Sequence, residues 1–168
     1  MFREMRRSKQ LLPMHEAEEI LQAALSGVLA VSGDDGYPYA VPLSYTYVDG
    51  KLYFHWANSG HKLDGIREND KVSFCVIGQD EVVPEAFATN YKSVIAFGRA
   101  AVVSDDESKR RALELLARKY SPGYEQEGAA EIEKDWKAVT VIEMTIENLT
   151  GKESLALARL REGQNRGK

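Results

Sequence analysis

The stretch from Tyr39 to Trp56 restricts this chain more than any other. From Tyr39 to Tyr47 bulky residues alternate with small ones. Tyr39, Val41, Leu43, Tyr45 and Tyr47 share one face, and Ala40, Pro42, Ser44 and Thr46 share the other. A period of two is the signature of an extended strand with unequal faces. Asp49-Gly50 follows, a pair that accepts the positive φ angles of a tight hairpin. Lys51 to Trp56 reads as the return strand, with Leu52, Phe54 and Trp56 on one side and Tyr53 and His55 on the other. A hairpin this apolar on one face needs a sheet and a core behind it.

The remaining sequence supplies both. Val28 to Ser32 reads as a strand, closed by the turn Gly33-Asp34-Asp35-Gly36. Val72 to Ile77 is nearly all apolar and reads as a fully buried strand. Ser93 to Val103 is another, with Gly98 marking a bulge or a close backbone approach. Ala138 to Ile146 alternates and is the last strand. Helical spacing of Ile20, Leu21, Ala24 and Leu25 predicts an N-terminal helix over 14–26, stopped by Ser26-Gly27. A capping box, Ser104-Asp105-Asp106-Glu107, opens a helix whose apolar stripe is Ala112, Leu113, Leu116, Ala117 and Tyr120. Glu127 to Trp136 reads as a short acidic helix. Residues 78–90 read as a long loop, and the polar tail after about residue 160 as frayed. The expectation is one domain over residues 1–168, mainly β with flanking helices, with about six antiparallel strands in a meander or barrel.

Charge and composition narrow the functions. Twenty-two Lys and Arg stand against 26 Asp and Glu, a formal net charge of -4. A mildly acidic chain lacks the basic surface that phosphate backbones require, so no nucleic-acid partner is expected. No apolar run approaches the roughly 20 residues that cross a bilayer, and no apolar segment follows the basic N-terminus, so no membrane partner and no signal peptide are expected. The single cysteine, Cys75, cannot make an internal disulfide, which fits a cytoplasmic location. Within its apolar strand it reads as a small buried hydrophobe.

Candidate chemistry concentrates between His55 and Arg67. Glycine-rich phosphate loops and the Gly-x-Ser-x-Gly elbow are missing from the sequence. With only His15, His55 and His61 and no third ligand at a suitable spacing, no metal site is expected. Gly60-His61-Lys62, however, leads a loop into a helix. A helix N-terminus presents free N–H groups and partial positive charge, and cations there are disfavoured unless an anion joins them. The triplet is therefore a candidate phosphate cradle, with a solvated lysine as the alternative. The small face of the strand around Val41 to Ser44 could admit a flat ligand against the backbone, or simply pack a helix.

Two stretches, Leu52-Tyr53-Phe54-His55-Trp56-Ala57-Asn58-Ser59-Gly60-His61-Lys62-Leu63-Asp64 and Asn69-Asp70-Lys71-Val72-Ser73-Phe74, resemble the pyridoxamine 5'-phosphate oxidase-like flavoproteins, and in particular their nitroimidazole-resistance branch. Tyr39 to Tyr45, Tyr91-Lys92-Ser93-Val94, Phe97-Gly98-Arg99-Ala100, Lys119 to Pro122 and Thr150 to Glu153 fit the same family in order. The resemblance runs from about Met5 to Ser154. It implies a split β-barrel, a homodimer, and FMN at the dimer interface. It further implies that Val41, Pro42, Leu43 and Ser44 line the flavin and that His55 and Trp56 lie by the ribityl-phosphate side. His61 and Lys62 would hold the phosphate, and Tyr91 and Ser93 would reach the flavin across the interface. The tyrosine-rich faces of Tyr39, Tyr45 and Tyr47 are the surface expected to seek a partner.

The segment Ala156-Arg159-Leu160-Arg161-Glu162 departs from the C-terminal pattern of true pyridoxamine phosphate oxidases, so vitamin B6 phosphate is not the expected substrate. The leading expectation is an FMN-dependent oxidoreductase acting on a small electron-poor molecule such as a nitroaromatic, with NADH or NADPH as a possible donor and His55 as the candidate catalytic residue. The alternatives are a flavin or haem carrier or sensor, and a deazaflavin-dependent enzyme on the same fold.

Overall fold

The computed structural model describes residues 2–165. Its strands are β1 (Gly27–Ser32), β2 (Pro38–Leu43), β3 (Thr46–Val48), β4 (Lys51–Ala57), β5 (Lys71–Val83), β6 (Ala88–Val102) and β7 (Val139–Glu153). They form one antiparallel sheet in the order β2-β1-β5-β6-β7-β4-β3. The helices are α1 (Met14–Ala23), α2 (His61–Glu68), α3 (Asp106–Tyr120), α4 (Glu125–Asp135) and α5 (Leu155–Asn165). The fold is thus mainly β with flanking helices, an unclosed split barrel. Among the described residues no helix is long and apolar enough to cross a membrane.

The seventh strand comes from a break in the run Tyr39 to Tyr47. Its first part, β2, pairs with β1 at one edge of the sheet, and its second part, β3, pairs with β4 at the other. Only Ser44 and Tyr45 link the two, so the sheet coils until its edges nearly meet. Alternation continues through the corner, which is why the sequence reads as one strand. The Asp49-Gly50 hairpin forms as expected, with φ of 50° and 78°.

The inside of the coiled sheet is the core. Leu29, Leu52, Phe54, Phe74, Val76, Val94, Ile142 and Met144 are buried there, closed by Leu21 of α1 and by Leu63 and Ile66 of α2. Tyr45 is also fully buried, and Tyr39 and Tyr47 pack partly buried against the same cluster. These tyrosines are core residues and not the partner-seeking surface expected of them. A second cluster, Ala112, Leu113 and Val141 with Tyr53, Ile132 and Trp136, seats α3 and α4 on the outer face of β4 and β7.

The outer face of β1, β5 and β6 has no such cover. β5 alternates, so Val72, Phe74 and Val76 face the core while Ser73, Cys75 and Ile77 face outward. Cys75 is therefore half-buried, not a core residue, and burial pushes its thiol pKa up. Val28, Cys75 and Ile95 are cross-strand neighbours in this face. Val28, Ile77, Ile95 and Phe97 are exposed.

Other differences are local. α1 ends at Ala23, before Ser26-Gly27. Asp105, not Ser104, caps α3, its side chain accepting from the Ser108 N–H at 2.8 Å. Residues 78–90, expected as a loop, extend β5 and β6 into a long hairpin, paired from Gln79↔Lys92 to Val83↔Ala88. The tail forms α5, because Arg161 finds the buried Glu153. Gly98 sits at a register shift, where a Cβ would overlap the Thr145 carbonyl.

Candidate functional site

The end of β4 and the start of α2 make a polar corner at the rim of the barrel. Asn58 ties the connecting loop down, donating to the Lys137 carbonyl at 2.7 Å and accepting from Thr140 Oγ1 at 2.6 Å. Gly60 caps α2 with φ 126° and ψ 164°, a conformation that requires glycine. Its carbonyl accepts from the N–H groups of Leu63 (2.9 Å) and Asp64 (3.2 Å). The amides of His61 and Lys62 thus head the helix without an intrahelical acceptor.

The two side chains of this first turn diverge. His61 stacks on Tyr39, with centroids 4.2 Å apart, and its Nε2 lies 3.7 Å from Asp34 Oδ1. Lys62 turns the other way, its Nζ 4.9 Å from the centre of the Trp56 ring. Among the described residues no carboxylate lies within ion-pair distance of Lys62. Trp56 Nε1 is buried there without a hydrogen-bond partner. A buried donor left unpaired costs about 1–3 kcal/mol. The corner therefore holds a cation without a carboxylate partner among the described residues and two free amides, a donor set that fits an anion such as a flavin phosphate.

The family resemblance places both His55 and Trp56 by the ribityl-phosphate side, but on β4 they point to opposite faces, as the alternation of the sequence indicates. Trp56 packs inward near Lys62, while His55 faces outward with Ser44 into a groove of about 720 Å³ under α3 and α4. His55 is exposed at the groove, and partial desolvation there lowers its pKa from the ordinary histidine value. Of the β2 residues, Val41 and Leu43 pack partly buried on the core, and Pro42 is exposed.

Tyr91 and Ser93 lie on a different wall. Tyr91 Oη is 3.4 Å from Gln10 Nε2, and the Lys152 ammonium is 5.7 Å from its ring. Ser93 pairs with Ile77 and Lys152. Within one chain, neither contacts the Lys62 corner. Another cavity, of about 610 Å³, opens between β1, β5 and β6 beside Arg99. There the guanidinium is already held by Asp70 and Glu147 at 2.8 and 2.9 Å, so it has less to offer an anion than Lys62.

The sequence did not announce the helical wall of the His55 groove. The stripe Leu113, Leu116 and Ala117 was legible as an apolar face, but the surface it covers depends on the path of β4.

A family model described as pyridoxamine 5'-phosphate oxidase matches residues 13–153. No curated protein matches the chain. Among solved structures, a candidate 5-nitroimidazole antibiotic resistance protein from Bacteroides thetaiotaomicron superposes with a TM-score of 0.71 at 22% identity, covering 85% of this chain and 86% of that one. A FAD-binding protein from Mesorhizobium loti gives 0.61 at 28% identity, covering 86% and 97%. A FAD and haem binding protein from Mycobacterium smegmatis gives 0.72 at 24%, covering 87% and 73%. With the match spanning nearly all of the sheet and the helices it carries, the chain belongs to the pyridoxamine 5'-phosphate oxidase family.

Proposed function

We propose that this protein is an FMN-dependent oxidoreductase acting on a small electron-poor molecule, with the flavin at the interface of a homodimer. The observation that carries the reading is the Lys62 corner. A cation with no carboxylate partner among the described residues sits over the Trp56 ring at a helix N-terminus, in a family with flavin-binding structural neighbours. When bound, the flavin supplies the redox chemistry.

The chain's own residues supply binding and orientation. Lys62 and the leading amides of α2 hold the phosphate, and the Trp56 ring supports the Lys62 ammonium. His61, engaged with Tyr39, shapes the wall of this pocket. The backbone of Val41 to Ser44 lies against the ring. His55, facing the groove, can pass or accept a proton at an imidazole nitrogen. A second copy covers the exposed apolar face of β1, β5 and β6. It also brings Tyr91 and Ser93 to a flavin they cannot reach within their own chain.

Titration of the flavin-stripped protein with FMN, followed by quenching of flavin fluorescence, tests the reading. Saturable binding at one flavin per chain is expected, together with a sedimentation mass of twice 18.8 kDa. A protein that takes up no FMN overturns the assignment. Mass spectrometry of the ligand released from native protein distinguishes FMN from FAD, haem or a deazaflavin.

A further inference from the structure

We infer that the groove between β4 and the α3–α4 pair binds a small aromatic cation. The assignment rests on the flavin reading in one respect: it names the substrate class for the face on which Ser44 and His55 stand. Its evidence is otherwise separate.

The groove is large enough for a fused-ring molecule, about 720 Å³, and its floor is apolar, built from Leu113, Leu116, Ile132 and Val139. Such a floor selects flat hydrocarbon surface over a sugar or a free phosphate. Charge then separates the aromatic classes. Glu127, Glu131 and Asp135 follow one another at every fourth residue of α4, and all three line the groove. No lysine or arginine lines it, although the chain carries 22. The only other titratable side chains there are His55, Tyr120 and Tyr124. Desolvation lowers the pKa of His55, which disfavours its cationic form. The Tyr120 hydroxyl is committed to the backbone of Tyr45, and Tyr124 stands exposed at the mouth.

Only Glu131 is already neutralised, by Lys134 at 2.9 Å. Glu127 and Asp135 have no cation within ion-pair distance among the described residues. Lys134 also lies within electrostatic reach of Asp135, so the exposed row of three carboxylates keeps a net negative charge that an anionic aromatic would meet and a neutral one would leave unused. An aromatic amine or quaternary ammonium would place its rings on the floor and its charge between Glu127 and Asp135, with the Tyr124 face available for a cation–π contact.

The test uses three ligands with one ring system: 2-naphthylmethylammonium, 2-naphthylmethanol and 2-naphthoate. Calorimetric titration of the full chain at low salt is expected to show the ammonium compound binding about fivefold tighter than the alcohol, with the carboxylate weakest. The preference is expected to shrink as salt is raised. In the double variant Glu127→Gln with Asp135→Asn the ammonium and alcohol should bind within about twofold of each other. The alcohol's own affinity should not change, which shows that the groove still forms. Equal binding of all three compounds by the native chain, binding of none, or an unchanged preference in the double variant each overturns the proposal. A parallel FMN titration keeps the two readings apart. Cation preference without FMN uptake refutes the flavin assignment alone, and FMN uptake without cation preference refutes the groove assignment alone.

Discussion

The hydroxyl of Tyr120 replaces a strand partner for Tyr45. At the corner where β2 gives way to β3, the Tyr45 N–H donates to Tyr120 Oη at 2.7 Å, and the Tyr45 carbonyl lies 2.8 Å from the same oxygen. The Leu25 carbonyl, 2.7 Å away, offers the hydroxyl a second acceptor. One side chain from α3 thus satisfies backbone groups that left the sheet ladder, and lets the sheet coil without losing hydrogen bonds. The neighbouring Lys119 adds to the lock, donating to the Ala24 carbonyl at 2.7 Å at the end of α1.

Tyr120→Phe should therefore destabilise the chain well beyond the loss of a surface hydroxyl. It leaves the Tyr45 N–H without an acceptor at a part-buried position, a defect of about 1–3 kcal/mol. For a chain of this length Tm should fall by about 2–4 °C for each kcal/mol lost. A thermal melt of the variant that overlays the native curve would show that water replaces the hydroxyl.

Arg161 and Glu153 make a second long-range tie. Glu153 is 1% exposed, and Arg161 Nε donates to its Oε1 at 2.8 Å, while Glu153 Oε2 finds no partner. Arg161→Ala should strand a buried carboxylate. The expected loss lies near the lower end of about 3–5 kcal/mol, because the Arg161 side chain keeps a quarter of its surface in water. Replacing both partners by leucine should recover most of it. Urea denaturation of the single and double variants reads the difference.

Most of the barrel was legible because period-two alternation reports directly on a sheet with one wet face. The hairpin at Asp49-Gly50, the bulge at Gly98 and the stripe of α3 each left a local mark. The corner at Ser44-Tyr45 left none, since alternation is unaffected when a strand changes partners. Its anchor, Tyr120, lies 75 residues away. α5 was missed for a similar reason. It opens with Leu155, Ala156, Leu157 and Ala158, of which Ala158 is buried, and its later turns are tied by the ion pair of Arg161 to Glu153, which no periodicity encodes. At the candidate site, the Gly60-His61-Lys62 start of α2 was readable from glycine and charge. The opposite faces of His55 and Trp56 were also readable, from strand alternation, whereas the divergence of His61 from Lys62 depends on where Tyr39 stands.

The His55 environment predicts a pH dependence. Desolvation lowers its pKa in the folded chain relative to the unfolded value of about 6.5. Below that value the unfolded chain binds the proton more readily, so stability falls as the pH drops from 6.5 through the folded pKa and levels off beyond it. The slope fades over about a unit above 6.5, as the unfolded chain also becomes neutral. In His55→Gln this part of the acid slope should vanish. Urea midpoints measured between pH 7 and pH 5 for both proteins check it, and parallel curves would place His55 in open solvent.

Lys62 gives the most direct test of the site. Its ammonium rests over Trp56 and has no carboxylate partner among the described residues, so a bound phosphate would be its main counter-charge. A charge-assisted bond of this type contributes about 1.5–3 kcal/mol. Lys62→Ala should then weaken FMN binding by about tenfold or more, since each 1.4 kcal/mol is a factor of about ten. Riboflavin, which lacks the phosphate, should bind the variant almost as well as the native protein. The stability of the flavin-free chain should change by less than about 1 kcal/mol, for two effects oppose each other. Removing a cation from a helix N-terminus relieves an unfavourable dipole interaction of about 0.3–1 kcal/mol, and losing the contact with Trp56 costs about 0.5–1 kcal/mol. Equal FMN affinity in both proteins would make Lys62 a solvated surface residue. Equal losses for FMN and riboflavin would mean that the substitution damages the corner as a whole and that the phosphate contact is not what was measured.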